Sequence, residues 1–488
     1  MTPTDPTRPL DLAGIGIGPA NLSLAALAQP TGLRAAWFER EPAFRWHPGL
    51  LIEDATLQVP FLADLVTLAD PTSRWSFLNY LRHTERLYPF YFSERFHSPR
   101  AEYDAYCRWV ADGVPGLHFG HRIDGVRWDS GHAVFELAVT RLTDTGETHH
   151  VTHARHLAIG IGTAPHIPGP LRHLTTQGPG PVLHSADYLG RRDALLAAGH
   201  VTVVGSGQSG AEVFLDLLRR RPEGLDGLHW LSRSRAFAPM EYSKLGLEHF
   251  TPDYTRYFHG LPEPVRDRLV TEQWQLHKAI DHDTLAAIHD ELYRRTVGGG
   301  WPDAVLLPGV SVSGGRWTGG RLHLDLHHCE QDQESRLATD ALVLATGYRE
   351  RPLDPLLGAL ADAAPRDTAG RLLVDDRYRL TLAPDVSGSV HVLGAERHTH
   401  GVGTPDLGLV AHRAAVILNT LTGGARYPLP VRTAFTAFGL RGAHAGGGRR
   451  REAEFAVPPE GQALPRQYRN TGFPGLADKA QKSEGPLI

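Results

Sequence analysis

The chain has 488 residues, with 50 Lys and Arg against 54 Asp and Glu and a formal net charge of -4. That is too long for one ordinary domain and long enough for two or three, each with a core of its own. No dense basic stripe runs along it, so nucleic acid is excluded as a partner. Cys107 and Cys329 lack the spacing of a disulfide framework or a metal site, and read as isolated thiols in a reducing cytoplasm. The polar, Pro-rich start from Met1 to Pro9 lacks the order of a signal peptide, and no run of about 18 apolar residues occurs, so no membrane association is expected. The 28 histidines are scattered without ligand spacing, and no metal site is expected.

From Leu10 to Leu27 an apolar run leads into glycines and then an Ala/Leu-rich helical stretch, and Ala35 to Phe38 is a second apolar run. This is a β-α-β opening. Its turn, Gly14, Gly16, Gly18, Pro19, Ala20 and Asn21, brings backbone up to a pyrophosphate at a helix N-terminus, although Asn21 stands where the third glycine is usual. Glu39 closes the next strand at the distance where a carboxylate meets the ribose of FAD or NAD. The run Ile159 to Pro165 reads as a strand end turning toward a second fold.

That second fold opens at Val201 to Val204, followed by Gly205, Ser206, Gly207, Gln208, Ser209 and Gly210, a helix from Ala211 to Arg220 and a strand from Leu228 to Leu231. After this strand an NAD site would place an acid, but Arg233 and Arg235 stand there and suit a 2'-phosphate, so NADPH is expected. Residues 242–297 read as a helical insertion beside the second fold, able to cap a substrate pocket. The strand Ala341 to Ala345, ending in Thr346-Gly347, is expected to return the chain to the first sheet. After Pro428 the order decays, and Gly442 to Arg451 with the polar end reads as a mobile tail. The expected fold is α/β, with two Rossmann-like dinucleotide-binding domains, for FAD and NADPH, and a small helical substrate-binding insertion. Its boundaries are 8–195 for the first part of the FAD domain, 196–334 for the NADPH domain, 335–428 for the second part of the FAD domain, and 429–488 for the tail.

Phe44 to Gly49, Leu57 to Leu65, Pro71 to Ser73, Phe77 to Leu81, the run from Gly205 and His400-Gly401 together resemble the microbial lysine, ornithine and diamine N-monooxygenases of hydroxamate siderophore pathways. The resemblance covers Leu12 to about Pro428. It implies FAD against Trp46, His47, Gln58 and the turn Pro405-Asp406-Leu407, NADPH against Ser206 to Ser209 and Arg233, and a homotetramer or dimer. It also implies that a C4a-hydroperoxyflavin hydroxylates a neutral amine, with no side chain needed as nucleophile.

Three departures concern the substrate. Where family members acting on amino acids carry a lysine for the substrate carboxylate, this chain has Ala63; a family serine is Gly408, and a family asparagine aligns with Leu247. An unpaired buried carboxylate would cost several kcal/mol, so the expected substrate lacks one: a diamine, cadaverine (1,5-diaminopentane) first and putrescine (1,4-diaminobutane) second, with O2 as co-substrate and a siderophore of the desferrioxamine kind as destination. Asp281 is a candidate for the second amine, or equally a helix N-cap before Thr284. The alternatives are a lysine or ornithine hydroxylase with another carboxylate anchor, Arg74 or Lys244, and a non-catalytic dinucleotide-binding protein.

Overall fold

The computed structural model describes residues 5–144, 146–222 and 227–440. Every element discussed below belongs to one unit, Met1–Thr436; of a second unit, Ala437–Ile488, only residues 437–440 are described. The expected mobile tail therefore lies, from residue 441 onward, outside the described residues.

The first sheet carries five parallel strands in the order Leu117–Phe119, Ala35–Glu39, Leu10–Ile15, Gly146–Ile159 and Ser389–Val392. The long fourth strand also pairs antiparallel with Val134–Thr143, which pairs with His121–Asp129. Leu10–Ile15 is covered on both faces, as a central parallel strand must be. The helix Pro19–Ala28 starts with proline in its first turn after Gly18 and buries every residue from Asn21 to Ala28. It is apolar all round because it lies against the helix Val410–Thr422 as well as the core of its own domain. Leu22, Leu24 and Leu27 are almost fully buried there, worth about 1.5–3 kcal/mol each before entropy.

The second sheet is parallel throughout, in the order Ala304–Pro308, Leu228–Ser232, Val201–Val204, Ala341–Leu344 and Val182–His184. This corrects two of the expected boundaries. Ala341–Leu344 stays in the second sheet, in register with Val201–Val204, and Val182–His184, expected with the first domain, joins it. A fully apolar strand reads the same in either sheet, and only pairing separates them. The chain returns to the first sheet at Ser389–Val392. The crossings between the folds are Thr163–Pro165 and Tyr348–Glu350, which pair antiparallel with each other.

Residues 242–297 are helical, as expected: Gly246–Phe250, Pro252–His259, Glu263–Glu272, Gln273–Leu276 and His282–Thr296. The chain just past Pro428 does not loosen as expected. Asp253 accepts the backbone N–H groups of Thr433 and Ala434, and Glu248 those of Phe435 and Thr436. Carboxylates from distant sequence fasten this strap, which composition does not reveal. No helix among the described residues is long and apolar enough to cross a membrane.

Candidate active site

At the first turn Gly16 has φ +85°, and a Cβ there would stand 2.4 Å from the Gly160 carbonyl. At Gly18 a Cβ would meet nothing within 4 Å, leaving the helix N-terminus open to a phosphate. Asn21 explains the departure from three glycines. Its Nδ2 donates to the carbonyls of Ile15, Gly16 and Ala158, stapling the turn to the crossing strand, so its place is structural. Glu39 accepts from Ile17 N at 2.9 Å and Glu41 N at 3.0 Å; each oxygen keeps a lone pair for a ribose.

The backbone N–H of Trp46 donates to Asp104 Oδ1 at 2.8 Å, and the Trp46 ring lies 5.0 Å from both His47 and Tyr103. His47 sits in the left-handed region, φ 47°. Burial, with a contribution from Arg100, lowers its pKa to about 4, so the ring is neutral near pH 7. Gln58 Nε2 is buried with no hydrogen-bond partner among the described residues, and Tyr103 Oη, buried beside Trp46, has only the weak partner of the Cys107 thiol. Such atoms are costly unless a ligand satisfies them. Together with the open face of Gly18 they make a set of residues that fits FAD. Tyr103 was missed because nothing local separates it from its aromatic neighbours in an amphipathic helix.

At the second turn, Gly205 has φ +136° and a Cβ would stand 2.1 Å from the Ala345 carbonyl, while one on Gly210 would stand 2.4 Å from the Gly205 carbonyl. Ser206 and Ser234 hydroxyls are 3.0 Å apart. Arg233 is exposed and makes no ion pair among the described residues, leaving it available to a phosphate, whereas Arg235 lies 3.4 Å from Glu330. Gln208 differs from expectation in its bonding. Its amide donates to Glu212 and Thr284 and accepts from Asp281 N. Glu212 also takes a two-pronged ion pair from Arg100 at 2.7 and 2.8 Å, so the helix Arg100–Gly113 is tied to the helix that follows the second glycine turn. Gly207 is the N-cap of the helix Gln208–Arg220, and Ser209 stands in its first turn.

The three departures lie on segments distant in sequence. A Cβ built on Gly408 would lie 3.9 Å from Ala63 Cβ and 2.8 Å from Asp406 Oδ1, so two of the three departures face each other. Asp406 accepts from Gly408 N at 2.7 Å and caps the short helix Leu407–Leu409. Burial pushes its pKa up to about 6, against the pull of the Gly408 N–H and Arg413. Tyr242 lies close enough for Asp281 and Asp406 to add to the upward shift that burial gives its hydroxyl, which donates to Gln58 O at 3.0 Å. Leu247 is 38% exposed on Gly246–Phe250, which packs against Gly401–Gly403. Of the two roles open to Asp281, the helix cap is formed: Oδ2 accepts from Thr284 N and Oγ1. Arg74 lies over the Trp75 ring in a cleft of about 560 Å³ whose walls include neither Ala63 nor Gly408. Lys244 is exposed, two residues beyond Tyr242.

Residues 8–350 match the family model of L-lysine 6-monooxygenase/L-ornithine 5-monooxygenase. The rhizobactin siderophore biosynthesis protein of Rhizobium meliloti (strain 1021) is 43% identical over 440 residues, 88% of this chain and 95% of that protein. A putrescine N-hydroxylase of Shewanella oneidensis is 40% identical, over 88% of this chain and 84% of the relative. The crystal structure of the desferrioxamine-pathway cadaverine monooxygenase of Erwinia amylovora, bound to FAD, superimposes with a TM-score of 0.81 at 36% identity, covering 88% of this chain and 98% of that one. The chain belongs to the L-lysine 6-monooxygenase/L-ornithine 5-monooxygenase family of N-hydroxylating monooxygenases.

Proposed function

We propose that the chain is an FAD- and NADPH-dependent monooxygenase that hydroxylates one primary amine of an aliphatic diamine of the cadaverine and putrescine class, for a hydroxamate siderophore of the desferrioxamine kind. The observation that carries the diamine reading is the facing of Ala63 and Gly408 beside the Asp406 carboxylate. This wall offers a substrate carboxylate no cation from either position, and it offers a substrate ammonium a counter-charge. The named activities of the Shewanella and Erwinia relatives point the same way.

FAD, reduced by NADPH, supplies the oxygen activation that puts one oxygen atom on nitrogen. Gln58, Tyr103, Trp46, His47 and the open turn at Gly18 would hold it, Ser206, Ser234 and Arg233 would hold the NADPH phosphate end, and Asp406, expected against FAD, is assigned to the amine instead. The chain's own part at the amine is to orient and desolvate. Asp406 takes the distal ammonium, and a water-poor environment at the other end favours the neutral, nucleophilic form of an amine whose free pKa is about 10.4. Burial makes an ionised Asp406 costly, Arg413 offsets only part of that cost, and diamine binding relieves the rest.

The test is hydroxylamine formation by the FAD-loaded protein with NADPH and equal concentrations of cadaverine, putrescine, lysine and ornithine. Product from a diamine and none from the amino acids supports the reading; preference for lysine or ornithine overturns it and leaves the monooxygenase intact. The second reading, an amino-acid hydroxylase, is favoured by one observation, the position of Lys244 two residues beyond Tyr242. Lys244→Ala separates the two, since it abolishes amino-acid turnover if Lys244 anchors a carboxylate and leaves diamine turnover unchanged otherwise.

A further inference from the structure

Beneath the turn that carries Asp406 and Gly408 lies a buried ion pair that the proposed reaction leaves unused. The helix Val410–Thr422 buries Val410, Ala411, Ala414, Ala415, Ile417 and Leu418, and among them stands Arg413, only 2% exposed. A guanidinium in such a place costs several kcal/mol unless it is paired and hydrogen-bonded. Its Nη2 donates to the Thr404 carbonyl at 2.7 Å. Its Nη1 is 3.3 Å from Oε1 of Glu396, a side chain with no exposure at all. The guanidinium lies over the Tyr378 ring at 5.3 Å, and that ring stacks on His400 at 4.4 Å.

These contacts grip the turn ahead of its start and in its middle. His400 precedes it, and Thr404 is held in its middle, where Thr404 N bonds to the Gly401 carbonyl and Asp406 N to that of Gly403. Glu396 is itself tethered, accepting the Gly394 N–H at 2.6 Å. Arg413 is shared between Glu396, 3.3 Å from its Nη1, and the Asp406 carboxylate two residues beyond Thr404, on which its charge also acts.

We propose that Arg413 is a positioning residue for the amine site: anchored by Glu396, it holds the Thr404 carbonyl and so sets where the Asp406 carboxylate and the Gly408 backbone stand. This rests on the placement of the amine end at Asp406 and Gly408, and not on which amine is bound.

Arg413→Met, Arg413→Lys and Glu396→Gln are compared with the unmodified full-length, FAD-loaded protein, using whichever of the four amines the unmodified protein turns over fastest. The readouts are KM and kcat for hydroxylated product, NADPH oxidation without amine, and calorimetric binding of that amine. Arg413→Met is expected to raise KM about tenfold or more, to weaken amine binding in parallel, and to leave NADPH oxidation without amine within about threefold. Arg413→Lys recovers most of the loss, because an ammonium can still donate to Thr404 and pair with Glu396. The proposal is overturned if Arg413→Met keeps an amine KM within about twofold of the unmodified protein, or if the lysine variant is no better than the methionine one. Should Arg413→Met not fold, Glu396→Gln decides: a raised amine KM with flavin retained supports the role, and an unchanged KM sinks it. Because the amine is chosen by competition on the unmodified protein, a preference for an amino acid would refute the diamine reading while this test still runs.

Discussion

A Cβ on Gly205 would stand 2.1 Å from the backbone carbonyl of Ala345, whereas a Cβ on Gly408 would stand 3.9 Å from Ala63 Cβ, with the Asp406 side chain its one tight neighbour. The nucleotide turn is closed by backbone, which cannot move aside. The amine end is closed by side chains, which can. A side chain at Gly205 would therefore strain the backbone, while a side chain at Gly408 would meet only other side chains. Even between the two turns the means differ: Gly210 packs directly on Gly205, whereas Asn21 fills the equivalent place with an amide that donates to three carbonyls.

The contrast can be broken most severely at the second turn. Gly210→Val is expected to abolish NADPH oxidation while FAD stays bound, as measured by stopped-flow reduction and the flavin spectrum. Retained oxidation would mean that the carbonyl of Gly205 yields. Next in size, Ala63→Lys places a cation beside Gly408 and Asp406. Diamine kcat/KM should fall about 100-fold, in line with the 2–5 kcal/mol of a desolvated charge contact, and lysine or ornithine turnover should rise. Unchanged preference in the amine competition would remove Ala63 from the site.

Asp406→Asn should raise diamine KM by about tenfold to 100-fold at pH 7–8 with kcat less affected. The pH dependence gives this prediction its sign. The carboxylate must be ionised to hold an ammonium and titrates at about 6, so diamine affinity in the unmodified protein falls as pH drops through 6 and levels off above it. The asparagine variant should lose that limb; if it keeps the limb, another group is titrating.

Gly18→Ala should be silent for the fold and felt only by the cofactor, because nothing of the protein lies within 4 Å of its Cβ. Unchanged melting of the FAD-free chain with weaker FAD binding is the expected pair of results. Smallest is Asp253→Asn, which weakens the bonds to Thr433 and Ala434. It should cost about 1 kcal/mol and appear as faster hydrogen exchange at residues 433 and 434, without change in diamine KM.

Much of this architecture was legible in the sequence. Strand, glycine turn and helix at Leu10 and at Val201 are local patterns, and both turns stand where they were expected. The helical character of residues 242–297 was equally readable from periodicity. The placement of Ala341–Leu344 was not, because an all-apolar strand carries no mark of its sheet. Asp281 illustrates the same limit at a single residue: an aspartate before a helix suits a cap or a ligand, and its bonds to Thr284 complete the cap. Gln208, read as a cofactor contact, is occupied by Glu212, Thr284 and Asp281, two of which lie more than 70 residues away.

The amine end divides in the same way. Comparison with the family marked Ala63 and Gly408 from sequence alone, since what each lacks is a chemical group. That the two absences adjoin each other and Asp406, and that Arg413 and Glu396 brace the turn from below, required the chain to fold. Local sequence determined the turns, helices and strands because their forces act over a few residues. The facing of Ala63 and Gly408 depends on a contact across more than 300 positions, and the pairing of Arg413 with Glu396 on how two separate elements pack, and those only tertiary packing could decide.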